Sequence, residues 1–289
     1  MDPPKRSEKT LEAYGRCFSV LHAEFKDTSL DFLLRHDAVI AFIESLDRSM
    51  NTKKLYYIAI VSRLKDLNSP TFSEAFKAYK AKQDAYNRKA QEVMENQEMD
   101  ARERAIWIDW PDVLKLRERL AATATNLWAF QDYVILCLYT YLPPMRADYA
   151  PMVLVRDMAD VPEAANALVI EPTKMTFVFQ EYKTAHKYGR RDVHVPKDLE
   201  QVLRVWTDMM PTECLLSNLD GTPMDPRQLS AAVIRIFDKH TGKKTGINIL
   251  RHSFISHLRR GERTFREQKK IAELMGHSVG MGVLYRRVE

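Results

Sequence analysis

The chain has 289 residues, 45% of them apolar, and a formal charge of +5. That length suits about two domains at roughly 150 residues each, and the apolar content excludes a long disordered or collagen-like chain. Cys17, Cys137 and Cys214 lie far apart without CxxC spacing, which argues against a zinc ribbon or a disulfide framework and fits reduced, buried thiols. The opening MDPPKRSEKT has no apolar core of a signal peptide, and no run nears the ~18 apolar residues of a membrane span. The expectation is a soluble intracellular protein with no membrane partner.

Leu11, Tyr14, Phe18, Leu21 and Phe25 recur at spacings of three and four, which predicts an amphipathic helix over 8–25 with Ser7 or Thr10 as N-cap. His36-Asp37 opens a second helix with Val39, Ile40, Phe42, Ile43 and Leu46 inward. Asn51 or Thr52 is expected to cap a third, running through Leu55, Ile58, Val61 and Leu64 until Asn68-Ser69-Pro70 ends it. A fourth is predicted from about Ser73 toward Tyr86, with Phe76 and Tyr79 inward and Lys77, Lys80 and Lys82 outward. Four helices without a strand signal make residues 1–90 an all-α domain. A lysine-bearing helix face is, taken alone, more often solvated than a binding surface.

From Asn87 to Arg104 the sequence (NRKAQEVMENQEMDARER) turns polar and loses its inward face, so a linker is placed at 91–106. Trp107, Trp110 and Pro111 start a second domain over 107–289, with helices expected at 111–123 and 126–141. Pro143-Pro144 stops the latter, and Met145-Arg146-Ala147-Asp148-Tyr149 follows. Strand-like runs lie at Ala167–Ile170, Thr176–Tyr182 and Asp192–Val195, the last two joined by a hairpin loop, Lys183–Arg191, with Gly189 inside it. Helices are predicted at 197–209 and 226–240. The fold class is thus mostly α (α+β): an all-α N-terminal domain, then a mixed, mainly helical domain with one small antiparallel sheet.

The last stretch concentrates charge. Lys239 to Glu289 holds twelve Lys or Arg against four Glu. A helix beginning near Asn248 carries Ile249, Leu250, Phe254, Ile255 and Leu258 inward, and Arg251 falls among them. A buried Arg calls for an anion, because five unpaired donors in a low dielectric are costly. His252 and His257 lie off that face and read as structural or solvent-facing. A second helix ends at Leu274-Met275, Gly276-His277-Ser278 breaks it, and a short final helix brings Tyr285 close to Arg286 and Arg287.

Arg146, Lys183, Arg251, His277 and Tyr285 follow in that order. The stretches PPMRADYAPM, EYKTAHKYGRRDVHVP, ILRHSFISHL, LMGHS and LYRR resemble the tyrosine recombinases of the phage-integrase superfamily. Their form is closer to the recombinases of large DNA viruses and eukaryotic mobile elements than to bacterial ones. The resemblance spans nearly the whole chain, residues 1–90 being similar to the family's core-binding domain. It implies DNA cleavage and rejoining through a 3′-phosphotyrosine intermediate with a free 5′ hydroxyl, in site-specific recombination or integration. Tyr285 is then the nucleophile, Lys183 the proton donor to the leaving oxygen, and His277 a residue that hydrogen-bonds the scissile phosphate or orients the nucleophile. Lys187 competes for the hairpin role, but Lys-Thr directly after the strand favours Lys183.

The chemistry suits the residue types. Two guanidiniums, Arg146 and Arg251, can hold the non-bridging oxygens bidentately and tighten as charge builds on them, while a phenol supplies a covalent intermediate. No metal or nucleotide cofactor is expected, and there is no P-loop or carboxylate cluster. The implied partners are double-stranded DNA and further copies of the chain, a dimer on a site and a tetramer in synapsis. Lys53, Lys54, Lys77, Lys80 and Lys82 are the candidate DNA contacts of the first domain.

Two features depart from the family. Asn248 stands three residues before Arg251, where relatives usually have His; Asn can donate to phosphate but cannot accept the phenol proton, a service worth about 10²–10⁴ in rate. Only four residues follow Tyr285, where many relatives carry another helix that docks on a neighbouring protomer. Asp148 lies one position off the spacing of the family's supporting carboxylate and is left out of the site. A type IB topoisomerase is the nearest rival, though no SKxxY-like motif precedes Tyr285; a catalytically silent DNA-binding relative is another, suggested by Asn248.

Overall fold

The computed structural model describes residues 6–210, 212–258, 263–276 and 278–287. They form two compact units, Met1–Asn96 and Gln97–Glu289.

Unit 1 is all helical. Helix α1 (Glu8–Phe25), α2 (His36–Ser45), α3 (Met50–Leu67) and α4 (Ser73–Asn96) enclose Leu21, Phe32, Leu33, Ile43, Tyr57, Ile60 and Tyr79, each almost wholly buried. The apolar spacings put one stripe of each helix on this core. Ser7 caps α1, its side chain accepting from the Thr10 amide. The cap of α3 is Ser49, which accepts from the Thr52 amide at 3.2 Å; the expected Asn51 and Thr52 already lie inside the helix. Two polar groups at this core find partners within the unit. Tyr79 donates to the Leu33 carbonyl at 3.0 Å, and Glu44 accepts from Tyr57 and Tyr86 at 2.8 and 2.7 Å.

Helix α4 continues ten residues past Tyr86, to Asn96, and so into the start of the expected linker. The stretch loses its apolar stripe but keeps Ala, Gln, Glu and Lys, all good helix formers. Pairs at i,i+4, such as Gln91 with Glu95, add local support. Exposure on every side, rather than absence of helix, removed the periodicity.

Unit 2 is built around α7 (Leu127–Thr140), whose residues Val134 to Tyr139 are wholly buried. Helices α6 (Trp110–Thr123), α9 (Lys197–Met209) and α10 (Pro226–Thr241) pack against it. The sheet has the order β1-β2-β3-β4, with β1 (Met152–Val155), β2 (Asn166–Ile170), β3 (Met175–Phe179) and β4 (Arg191–His194). Strands β2, β3 and β4 form the expected antiparallel ladder, with Leu168 opposite Phe177 and Phe177 opposite Val193. Strand β1 was not expected; it joins β2 in parallel, Val153 opposite Ala167, which makes the sheet mixed. Its four residues give too short an apolar run to carry a period.

The ladder ends at Phe179 rather than Tyr182 because Asn166 takes over. Its side-chain oxygen accepts from the Gln180 and Glu181 amides, both at 2.8 Å, and its amide donates to the Asp148 and Glu181 carbonyls. The hairpin loop holds one helical turn, α8 (Ala185–Tyr188), closed by Gly189 at φ 66°, ψ −162°, a conformation side chains with a Cβ rarely adopt. After α5 (Ala101–Ile106) and the elements above, the chain ends in α11 (Ile247–Leu258), α12 (Phe265–Leu274) and α13 (Val279–Tyr285).

Candidate active site

The Arg146 loop is fixed from behind. Tyr139 on α7 donates to the Arg146 carbonyl at 3.0 Å, and Tyr149 donates back to the Leu138 carbonyl. Tyr149 meets Tyr139, Phe177 and Phe179 edge to face at 5.4–5.8 Å between ring centres, a favoured aromatic geometry. With Asn166 holding the Asp148 carbonyl, both ends of the turn are tied to core residues. The half-buried Arg146 side chain thus leaves a rigid platform.

Arg251 arrives from α11. That helix is seated by Phe254 against Trp110, ring centres 4.9 Å apart, and its approach is tied by Thr245 donating to the Ile106 carbonyl. Arg251 is wholly buried. It donates to the Pro144 carbonyl at 2.8 Å and the Met275 carbonyl at 3.3 Å, while its Nε has no acceptor among the described residues. Burial pushes the guanidinium below the usual arginine value; Tyr285 opposes this by charge and by a side-chain hydrogen bond, Arg146 reinforces it, and Asp148 opposes it. The guanidinium lies 5.2 Å from the centre of the Tyr285 ring. Arg146, Arg251 and Tyr285, remote in sequence, therefore share one site.

Tyr285 closes α13, a seven-residue helix capped by Ser278. Its carbonyl accepts from His252 Nδ1 at 2.7 Å, and the two rings lie 4.9 Å apart. Burial, reinforced by Arg287, lowers the His252 pKa to about 4, so the imidazole is neutral at pH 7. The chain beyond is held by Ser256, which accepts from the Arg287 amide at 2.8 Å, and by an Arg287–Glu103 ion pair at 3.1 Å. Gln97 donates to the Val283 carbonyl.

Lys183 is exposed, but its neighbour Thr184 donates to the Gly276 carbonyl at 3.3 Å. Gly276 has φ 68°, and a methyl group there would lie 3.6 Å from Thr184 Oγ1, 3.7 Å from Arg146 Nη1 and 3.8 Å from Arg191 Nη1. One point beside Gly276 is thus faced by a hydroxyl and two guanidiniums. Asn248 is exposed on the first turn of α11, one turn before Arg251. His277 lies outside the described residues.

Three residues near the site were not among the expected site residues. Arg191 opens β4 and stacks on Tyr182, 4.1 Å from the ring centre; it sits in a run of basic residues and has no motif of its own. Burial pushes the Asp148 carboxyl up, against the pull of Arg146, Arg191 and Arg251, which places this carboxylate among three guanidiniums despite its shifted spacing. His252 read as structural, and its contact with the Tyr285 carbonyl depends on a fold-back no local pattern reveals. Among the described residues no group of three or more His, Cys, Asp or Glu is placed to hold a metal, and no helix is long and apolar enough to cross a membrane.

The lysines of unit 1 differ in availability. Lys53 donates to the Glu44 carbonyl at 2.6 Å, Lys82 pairs with Glu44 at 3.7 Å and Lys80 pairs with Asp84. Lys54 is half-buried and Lys77 exposed.

Among solved structures, the chain is similar to XerH site-specific recombinase, solved bound to its difH substrate in a pre-cleavage complex: TM-score 0.55, 17% identity, 96% of this chain and 74% of that one covered. The two chains share a fold. XerA recombinase (TM-score 0.45, 14% identity, 99% and 89% covered) and a lambda integrase tetramer bound to a Holliday junction (0.39, 12%, 96% and 83%) also match, more loosely. No family model and no curated protein matches the sequence.

Proposed function

We propose that the chain is a tyrosine-type DNA recombinase that cuts and rejoins duplex DNA through a 3′-phosphotyrosine intermediate, without metal or nucleotide. The observation that carries this reading is the burial of Arg251 against Tyr285, with Arg146 close enough to depress the same guanidinium. An arginine buried with, among the described residues, two carbonyl partners and a phenol beside it is poorly compensated. A phosphodiester brings the missing negative charge to the place where the phenol stands.

In the proposed reaction the Tyr285 oxygen attacks phosphorus and the P–O5′ bond breaks. The phenol proton leaves to solvent, and Lys183 gives a proton to the departing 5′ oxygen. Arg146 and Arg251 hold the non-bridging oxygens, whose charge grows toward the pentacoordinate state. Asn248 donates to phosphate but takes no proton, so the enzyme is slow; His277 contributes a further phosphate contact. Rejoining reverses each step, the 5′ hydroxyl displacing Tyr285. Unit 1, as a core-binding domain, adds phosphate contacts through its lysines, and copies of the chain assemble as dimers on a site and tetramers in synapsis. The flavour of the motifs suggests a viral or eukaryotic mobile element.

The test is covalent trapping on nicked duplexes of randomised sequence, from which the cleaved strand end diffuses away. Wild type should form an adduct that survives denaturing gels, and Tyr285→Phe should form none while still binding DNA. Absence of any wild-type adduct favours the silent DNA-binding relative, the reading that Asn248 supports. Sequence-independent relaxation of supercoiled plasmid would favour a topoisomerase instead.

A further inference from the structure

Arg191 carries polar capacity that its surroundings do not use. It is half-buried at the first position of β4, with Tyr182 4.1 Å and Phe179 5.7 Å from its guanidinium carbon. Nη1 donates to the Glu273 carbonyl at 2.6 Å. Nε and Nη2 are buried with no acceptor among the described residues. Buried donors are rarely left so, and a salt bridge that would account for the residue is missing from the described ion pairs. The Asp148 carboxyl feels its charge, but feels those of Arg146 and Arg251 as well. Three guanidiniums against one carboxylate leave a positive excess.

Direction narrows the ligand. Arg191 Nη1 and Arg146 Nη1 lie 3.8 and 3.7 Å from the same point beside Gly276, with the Thr184 hydroxyl at 3.6 Å. The flat guanidinium is held by stacking on Tyr182, so its fork is oriented before any ligand arrives. We infer that Arg191 is a third guanidinium ligand of the phosphate gripped by Arg146, contributed by the strand that follows the Lys183 hairpin. The role rests on the proposed function for its substrate, a DNA phosphodiester, but the anion-binding claim stands on the geometry alone. Position also links it to the proposed proton donor: the loop that carries Lys183 runs directly into Arg191 at the start of β4, so a phosphate on Arg191 would anchor the far end of that loop.

The experiment uses the full chain with Arg191→Gln and Arg191→Lys, on the sequence recovered from trapping, with either a normal or a methylphosphonate scissile linkage. On the normal linkage Arg191→Gln should slow single-turnover adduct formation on the order of 10²-fold, and Arg191→Lys less. On the methylphosphonate, which lacks the non-bridging charge, the Gln penalty should shrink to a few fold. An equal penalty on both linkages, or a rate loss that tracks a lowered melting temperature, would make Arg191 a tether for α12 and overturn the inference. If wild type forms no adduct on any DNA, the functional reading falls, and inorganic phosphate becomes the probe. Millimolar phosphate raising the melting temperature of wild type but not of Arg191→Gln then upholds the anion site; equal shifts, or none, overturn it.

Discussion

The Arg251 guanidinium stands 5.2 Å from the centre of the Tyr285 ring, although 33 residues and a whole helix, α12, separate them in the chain. A guanidinium buried there is a liability to folding, and the proposed phosphate site accounts for it. Its two carbonyl bonds are worth about 1–3 kcal/mol each if orphaned, whereas burying a guanidinium without a full partner costs several kcal/mol. The second effect wins. Arg251→Met, of similar length, should therefore unfold in urea at the same concentration as wild type or a higher one, while adduct formation disappears. A large drop in the urea midpoint would show Arg251 to be a structural keystone instead.

Asn248 is exposed on the first turn of α11, so a larger ring is sterically tolerated there. Asn248→His supplies a side chain able to accept a proton, and single-turnover cleavage should rise, by up to about 10²–10⁴. The gain should appear above about pH 6.5, where an ordinary imidazole is neutral. A variant no faster than wild type at any pH would remove Asn248 from the site.

His252 gives a pH signature. Its folded pKa of about 4 lies below the unfolded value near 6.5, so between these the unfolded chain binds more protons. Its contribution to stability is complete above about pH 6.5 and is lost as pH falls toward 4, in all roughly 3 kcal/mol. His252→Gln keeps a donor for the Tyr285 carbonyl but does not titrate. Denaturant unfolding across this range should show a shallower acid decline for His252→Gln; parallel curves for the two proteins would refute the assignment.

The lysines of unit 1 should not contribute alike. Removing one lysine that neutralises a phosphate makes the slope of log K against log salt shallower by about 0.9. Lys54→Ala and Lys77→Ala should each show such a change. Lys53, Lys80 and Lys82 are engaged with Glu44 or Asp84, and their alanine variants should show smaller ones. Salt titrations of DNA binding distinguish the two groups.

Elements with a sustained period were legible in the sequence: α1, α9 and α11 lie within a residue or two of expectation because each has one buried stripe. Signals that depend on a partner were not. Strand β1 exists only against β2, and the end of β3 is decided by Asn166 from another strand. The site divides in the same way. Arg146, Arg251 and Tyr285 stood out through motif and order, and the fold brings them together. Arg191 and Asp148 acquire meaning only from what surrounds them, since neither spacing nor residue type separates Arg191 from Arg190 beside it. Arg190 pairs with Asp192 at 2.8 Å, and its charge is satisfied there.

Unit 2 is laced shut where its chemistry lies. Gln97 and Glu103, near its beginning, hold Val283 and Arg287, on either side of Tyr285. In most domains fraying starts at an end and harms little. Tyr285, the proposed nucleophile, closes the short helix α13 between those two ties, so warming that loosens them should abolish adduct formation before the core of unit 2 melts.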